Sequence, residues 1–376
     1  MRRTVRAALA LALVLSAAGS ASASAGTPKR WVMGYYVGYQ RNLMPANEID
    51  WGAMTHIVVG PVNPRANGAL DTAFDIDNTA GPAMAKDIAK RAKAHSVVPL
   101  LMIGGAGEHD NFLAAAKNHL STLVHNLAKV MNKFGYRGLD LDWEPINASD
   151  QQYVTELVNR LRGKVPNAVL TMPVLPITKT FAHVASFYGK IAKKLDRISV
   201  MTYGMAGPYQ GWRTWHSSAL QDATASMPSA VNINVTQFEK AGVPAAKLGV
   251  GTGFYGTCWT GGVTGPRQDI GDSTVAADDN AMSYTTIMSS YYQASAYHYD
   301  SKAQAPYLGF TSPHGPQNCT FVSYENARSI EAKARWAKAQ GLGALIVWTV
   351  NQGHNLGAPA GHRDVLLAKA KHAFGA

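Results

Sequence analysis

The chain has 376 residues, 47% of them hydrophobic, with 35 Lys and Arg against 24 Asp and Glu and a formal charge of +11. That length admits two average domains or one α/β barrel with an insertion. No clustered Lys/Arg run with interleaved aromatics points to nucleic acid, neither Cys nor His falls at metal-ligand spacing, and no cofactor is implied.

Residues 1–25 read as a signal peptide. Arg2, Arg3 and Arg6 precede an apolar run from Ala7 to Leu15, and small residues follow with two candidate cleavage points, Ala21-Ser-Ala23 and Ala23-Ser-Ala25. The run is too short to cross a bilayer. The expectation is a secreted protein, extracellular or periplasmic, monomeric and free of the membrane after cleavage. Losing the three arginines lowers the formal charge from +11 to +8, a surface that can adhere to anionic polymers.

Short apolar runs then recur at Trp31 to Tyr36, Thr55 to Gly60, Val97 to Ile103, Gly138 to Asp142, Val169 to Val174, Ile198 to Tyr203, Leu248 to Gly253 and Ala344 to Trp348. Between them, Ala83 to Ala94, Leu120 to Phe134, Gln151 to Leu161 and Ser329 to Ala339 carry apolar residues at helical spacing. Eight β and α alternations predict a closed (β/α)8 barrel, the TIM barrel, over residues 26–376. From Thr257 to about Thr320 the rhythm breaks in a stretch rich in Gly, Tyr, Ser and Thr. It reads as a small α+β insertion between the seventh and eighth strands. It holds both cysteines, Cys258 and Cys319, and in an exported protein a bridge between them is expected.

The segment Gly138-Leu-Asp-Leu-Asp-Trp-Glu144 carries the chemistry. In a strand, Asp140, Asp142 and Glu144 share one face while Leu139 and Leu141 point the other way. Three carboxylates this close must share protons, so at least one stays neutral near pH 7. A neutral acid beside an ionised one is the equipment of a glycosidase. Adjacent members of the row lie on the same side of a substrate, which leaves no carboxylate on the far face for an inverting reaction. An N-acetyl group on the substrate can supply the nucleophile instead.

This segment resembles the D-G-x-D-x-D-x-E signature of the family 18 glycoside hydrolases, the chitinases, which act with substrate assistance. Gly251-Thr-Gly-Phe-Tyr-Gly256, Trp259-Thr-Gly-Gly262, Ala305-Pro-Tyr-Leu308 and Thr320-Phe-Val-Ser-Tyr324 resemble the landmarks around that family's insertion domain. The resemblance implies that Glu144 is the general acid and later the base, and that Asp142 orients the N-acetyl group. It further implies that Asp140 shares a proton with Asp142 and that the Tyr203 hydroxyl supports the acetamido carbonyl. Trp348 would form the floor beneath the reacting sugar. Tyr35, Gly105 and Met201, within matching motifs, are taken as substrate-binding. Of the aromatics Trp143, Tyr209, Trp212, Trp215 and Trp259, the two expected to line a groove are Trp143 and Trp259.

The chain departs from the family pattern at several points. Arg137 stands where the first motif aspartate would be, and Met102 replaces a serine that donates to the inner aspartate. Gly204 replaces an aspartate, Trp143-Glu144-Pro145 shortens the acid loop, and Thr257 replaces an arginine. Methionine cannot donate, so ionised Asp140 should be costlier, with Tyr35 as a remaining donor. The expected partner is chitin or another N-acetylglucosamine oligosaccharide. A non-hydrolytic chitin-binding protein and a hydrolase of peptidoglycan are the alternatives.

Overall fold

The protein is described by a computed structural model covering residues 30–177 and 184–376. The expected signal peptide lies outside the described residues. Eight parallel strands form the barrel: β1 (Trp31–Val37), β2 (His56–Pro64), β3 (Val98–Gly104), β4 (Gly138–Asp142), β5 (Val169–Val174), β6 (Arg197–Val200), β7 (Leu248–Gly253) and, after the insertion, β13 (Ala344–Trp348). The order β1-β13-β7-β6-β5-β4-β3-β2 returns to β1 through pairs running from Met33 with His56 to Val37 with Gly60. The ring is closed.

Alternation along each strand divides the core in two. Met33, Tyr35, Val58, Leu100, Met102 and Ile346 fill the barrel interior. Their neighbours Val32, Tyr36, Ile57, Leu101, Leu139, Leu141 and Leu345 pack outward into the larger core under the helices. Helix Leu120–Phe134 buries Leu123, Leu127, Met131 and Phe134 along one stripe. It stops at Gly135, whose φ of 80° permits the left-handed cap. Helix Ala327–Ala339 starts from a capping box between Asn326 and Ser329.

The insertion is a five-stranded antiparallel sheet: β8 (Thr257–Thr260), β9 (Thr274–Ala277), β10 (Tyr297–Asp300), β11 (Ala305–His314) and β12 (Cys319–Ser323), in the order β9-β8-β12-β11-β10, with helix Tyr284–Ser290. Cys258 and Cys319 are bridged across neighbouring strands β8 and β12. Their separation of 61 residues corresponds to about 4 kcal/mol in the chain-entropy account.

The expected sixth strand, Ile198 to Tyr203, ends early. After Val200 the amides of Thr202 and Tyr203 bond to the carbonyls two residues back, and Thr202 Oγ1 donates to Gly251 O at 2.8 Å. The chain leaves the sheet there, and Tyr203 rides a tight turn at the barrel mouth.

Candidate active site

Strand β4 is buried along its whole length, and its register sets the site. Asp140 lies between Met102 of β3 and Thr171 of β5, while Asp142 pairs with Gly104. Asp140 is 1% exposed. Its Oδ2 accepts from the Tyr35 hydroxyl at 2.7 Å and its Oδ1 from the Thr171 hydroxyl. Burial pushes its pKa up to about 6, and the two hydroxyl donors oppose that shift.

Asp142, 2% exposed, keeps Oδ1 buried without a partner among the described residues. Burial first, then Glu144, then Asp140, hold its pKa well above the usual carboxylate range. Glu144, two residues past the strand end, is half-buried, and burial raises its pKa too. All three acids therefore hold their protons more tightly than ordinary carboxyls. The trio combines an acid facing a cavity with a buried, unsatisfied acceptor beside it.

That cavity, about 380 Å³, sits at the C-terminal mouth of the barrel and is lined by Asp142, Glu144, Met201, Tyr203, Tyr255, Asp279 and Trp348 among others. A second cavity of about 370 Å³ shares Glu144, Asp279 and Trp348 and extends past Gly105 toward Tyr39, Asp75 and Glu108. Together they form a cleft across the strand ends. A larger cavity of about 680 Å³ lies in the insertion around Arg267 and Asp300, away from the carboxylates.

The model of glycosyl hydrolases family 18 matches residues 31–353. The chain belongs to this family. It is similar to Chitinase A1 of Niallia circulans, 26% identical over 288 residues, spanning 68% of this chain but 40% of that protein. It is 25% identical over 391 residues to Chitinase B of Serratia marcescens, spanning 84% of this chain and 76% of that one. Among solved structures, the Group IV chitinase of Ostrinia furnacalis in complex with allosamidin superposes with a TM-score of 0.78 at 22% identity, covering 92% of this chain and 99% of the other. A Class V chitinase from Nicotiana tobaccum in complex with NAG4 gives a TM-score of 0.75 at 20% identity, covering 93% and 99%. These structural likenesses establish the shared fold.

Within this family 18 frame, Asp142, Glu144, Met201, Tyr203 and Trp348 come together around one cavity and Gly105 around the adjoining one. Gly105 has a φ of 130°, and its amide donates to Asp142 O at 2.8 Å. Tyr35 differs from its expected substrate-binding place. It is 1% exposed, and its hydroxyl is committed to Asp140 beneath the cleft.

Trp143 and Trp259 are corrections. Trp143 shares the outward parity of Leu139 and Leu141, is 2% exposed and stacks on Phe112 with centroids 4.7 Å apart. Trp259 is fully buried against Phe321 in a core shared by the insertion and Trp215. Neither can meet a sugar. Tyr209, 47% exposed, lines the cleft and packs edge-on against Trp212. Thr171, Tyr255 and Asp279 went unmarked. Thr171 had a signal, as the one polar residue in an otherwise apolar run from Val169 to Val174.

Proposed function

We propose that the protein is a secreted chitinase that cleaves β-1,4 links next to N-acetylglucosamine by substrate-assisted catalysis with retention. The observation that carries this reading is the buried acceptor Asp142 Oδ1, without a partner among the described residues, beside Glu144, whose pKa burial raises, on the wall of the cleft. Glu144 gives its proton to the glycosidic oxygen as that bond breaks. The acetamido carbonyl oxygen closes onto the anomeric carbon while Asp142 accepts the acetamido N–H and stabilises the cationic oxazolinium. Tyr203 donates to the acetamido oxygen, and Trp348 supports the sugar face. Glu144, now a carboxylate, then takes a proton from water, whose oxygen attacks the anomeric carbon as its bond to the acetamido oxygen breaks, which restores the N-acetyl group and the starting acid.

Its relatives are named chitinases, and the leader expected at residues 1–25 supports export. The test is mass spectrometry of products from an N-acetylglucosamine hexamer, incubated with the mature protein and with Glu144→Gln. Shorter oligomers from the wild type alone are expected. An intact hexamer with both proteins across pH 4 to 9 would refute the chitinase reading. Binding to the hexamer without turnover would then indicate a lectin, and release of fragments from peptidoglycan another hydrolase.

A further inference from the structure

Among the carboxylates of the cleft that the proposed reaction does not use, Asp279 is the one beside Trp348 that reaches both cavities. Asp279 belongs to the insertion, at the first position of the 3-10 turn Asp279–Met282, yet it lines both cavities beside Glu144 and Trp348. Its φ of 36° lies in the left-handed region, uncommon for a side chain other than Gly. Such a conformation persists where its surroundings hold it. Here Oδ1 accepts from Trp348 Nε1 at 3.3 Å and Gln352 Nε2 at 2.6 Å, and the next residue, Asn280, accepts from Gln40. Oδ2 has no partner among the described residues. Nearby, Gly204 lines the same cavity without a side chain to offer.

We infer that Asp279 is a substrate-binding residue whose free oxygen accepts a hydroxyl of the sugar resting on Trp348. Because Trp348 Nε1 donates to Asp279, the carboxylate sits off the edge of the indole. A sugar stacked on an aromatic face carries its equatorial hydroxyls around its rim, above that edge. Anchoring one oxygen to the barrel leaves the other preorganised at little entropic cost on binding. The insertion thereby supplies a specificity contact to a site otherwise built from the barrel's strand ends and the loops that follow them. This inference rests on the proposed function.

The alternative is that Asp279 only clamps Trp348. Asp279→Asn separates the two, because the amide oxygen still accepts from Trp348 and Gln352 while the free acceptor becomes a donor. Affinity for the N-acetylglucosamine hexamer is measured by calorimetry in the non-hydrolysing Glu144→Gln protein, with and without Asp279→Asn. Loss of about tenfold or more in affinity, with unchanged melting and tryptophan fluorescence, is expected. Affinities within about twofold of the parent would overturn this inference alone. Absence of hexamer binding by Glu144→Gln itself would overturn it together with the chitinase reading.

Discussion

Asp140 sits too deep to touch a sugar, and its influence passes through the charge it holds. Tyr35 and Thr171 each donate to one of its oxygens, and both favour its ionised form against burial. Met102, its neighbour on the other side in the strand register, contributes no donor. Thr171→Val should therefore raise the pKa of Asp140 above its value of about 6 and move the acid limb of the kcat/KM profile to higher pH, while Thr171→Ser leaves it in place. Met102→Ser adds a donor and should move the limb the other way. A Thr171→Val profile that overlays the wild type would remove Thr171 from the catalytic machinery.

The elements around the site are joined through polar side chains as much as through apolar packing. Lys333, on helix Ala327–Ala339, is 1% exposed and forms a buried pair with Glu325, while its ammonium also donates to Ser218 at 2.7 Å. Ser218 in turn donates to the carbonyl of Thr202, next to Tyr203. Lys333→Met would strand Glu325 as an unpaired buried charge, so a loss of about 3–5 kcal/mol is expected. Adding Glu325→Gln should recover much of it, as read by denaturant unfolding of both variants. Equal stability of Lys333→Met and wild type would show that the pair carries no such burden.

Elements differed in how plainly the sequence announced them. The eight strands were legible because buried parallel strands read as continuous apolar runs, and the carboxylate row because three carboxylates in such a run are costly. Trp143 was legible too, by parity: it stands out of phase with Asp142 and Glu144, and the buried place follows from the alternation that located the acids. Helix Val231–Lys240 went unmarked because Asn, Thr and β-branched residues disguise it, although Val231, Asn234, Val235 and Phe238 share its buried face. Trp259 and Asp279 were not legible. Their roles depend on how the insertion docks onto the segment around Trp215 and onto the barrel rim, which no local pattern encodes.

For the whole molecule, the buried acids carry a stability cost with a definite sign. Asp140 titrates near 6 when folded, against 3.8 for an ordinary aspartate. The folded state thus binds the proton more tightly, and stability falls as pH rises from about 4 to about 6, by about 3 kcal/mol in all. Asp140→Asn cannot ionise. Its melting temperature minus that of the wild type should grow between pH 4 and 7, whatever constant offset the amide introduces. A difference that stays flat with pH would mean that Asp140 titrates alike in the folded and unfolded chains.

Ring closure also has a temporal meaning. Strand β1 pairs with β2 on one side and with β13 on the other, and Gln40 just beyond it bonds to Thr349 and to Asn280. A growing chain therefore carries Tyr35 for some three hundred residues of synthesis, and Asp140 for some two hundred, before the segment that completes their surroundings exists. Until then β1 and β7 present open strand edges, the kind that recruit other chains. Catalytic competence should thus arrive last, in one step with the docking of Ala344–Trp348, making hydrolysis itself a clock for the end of folding.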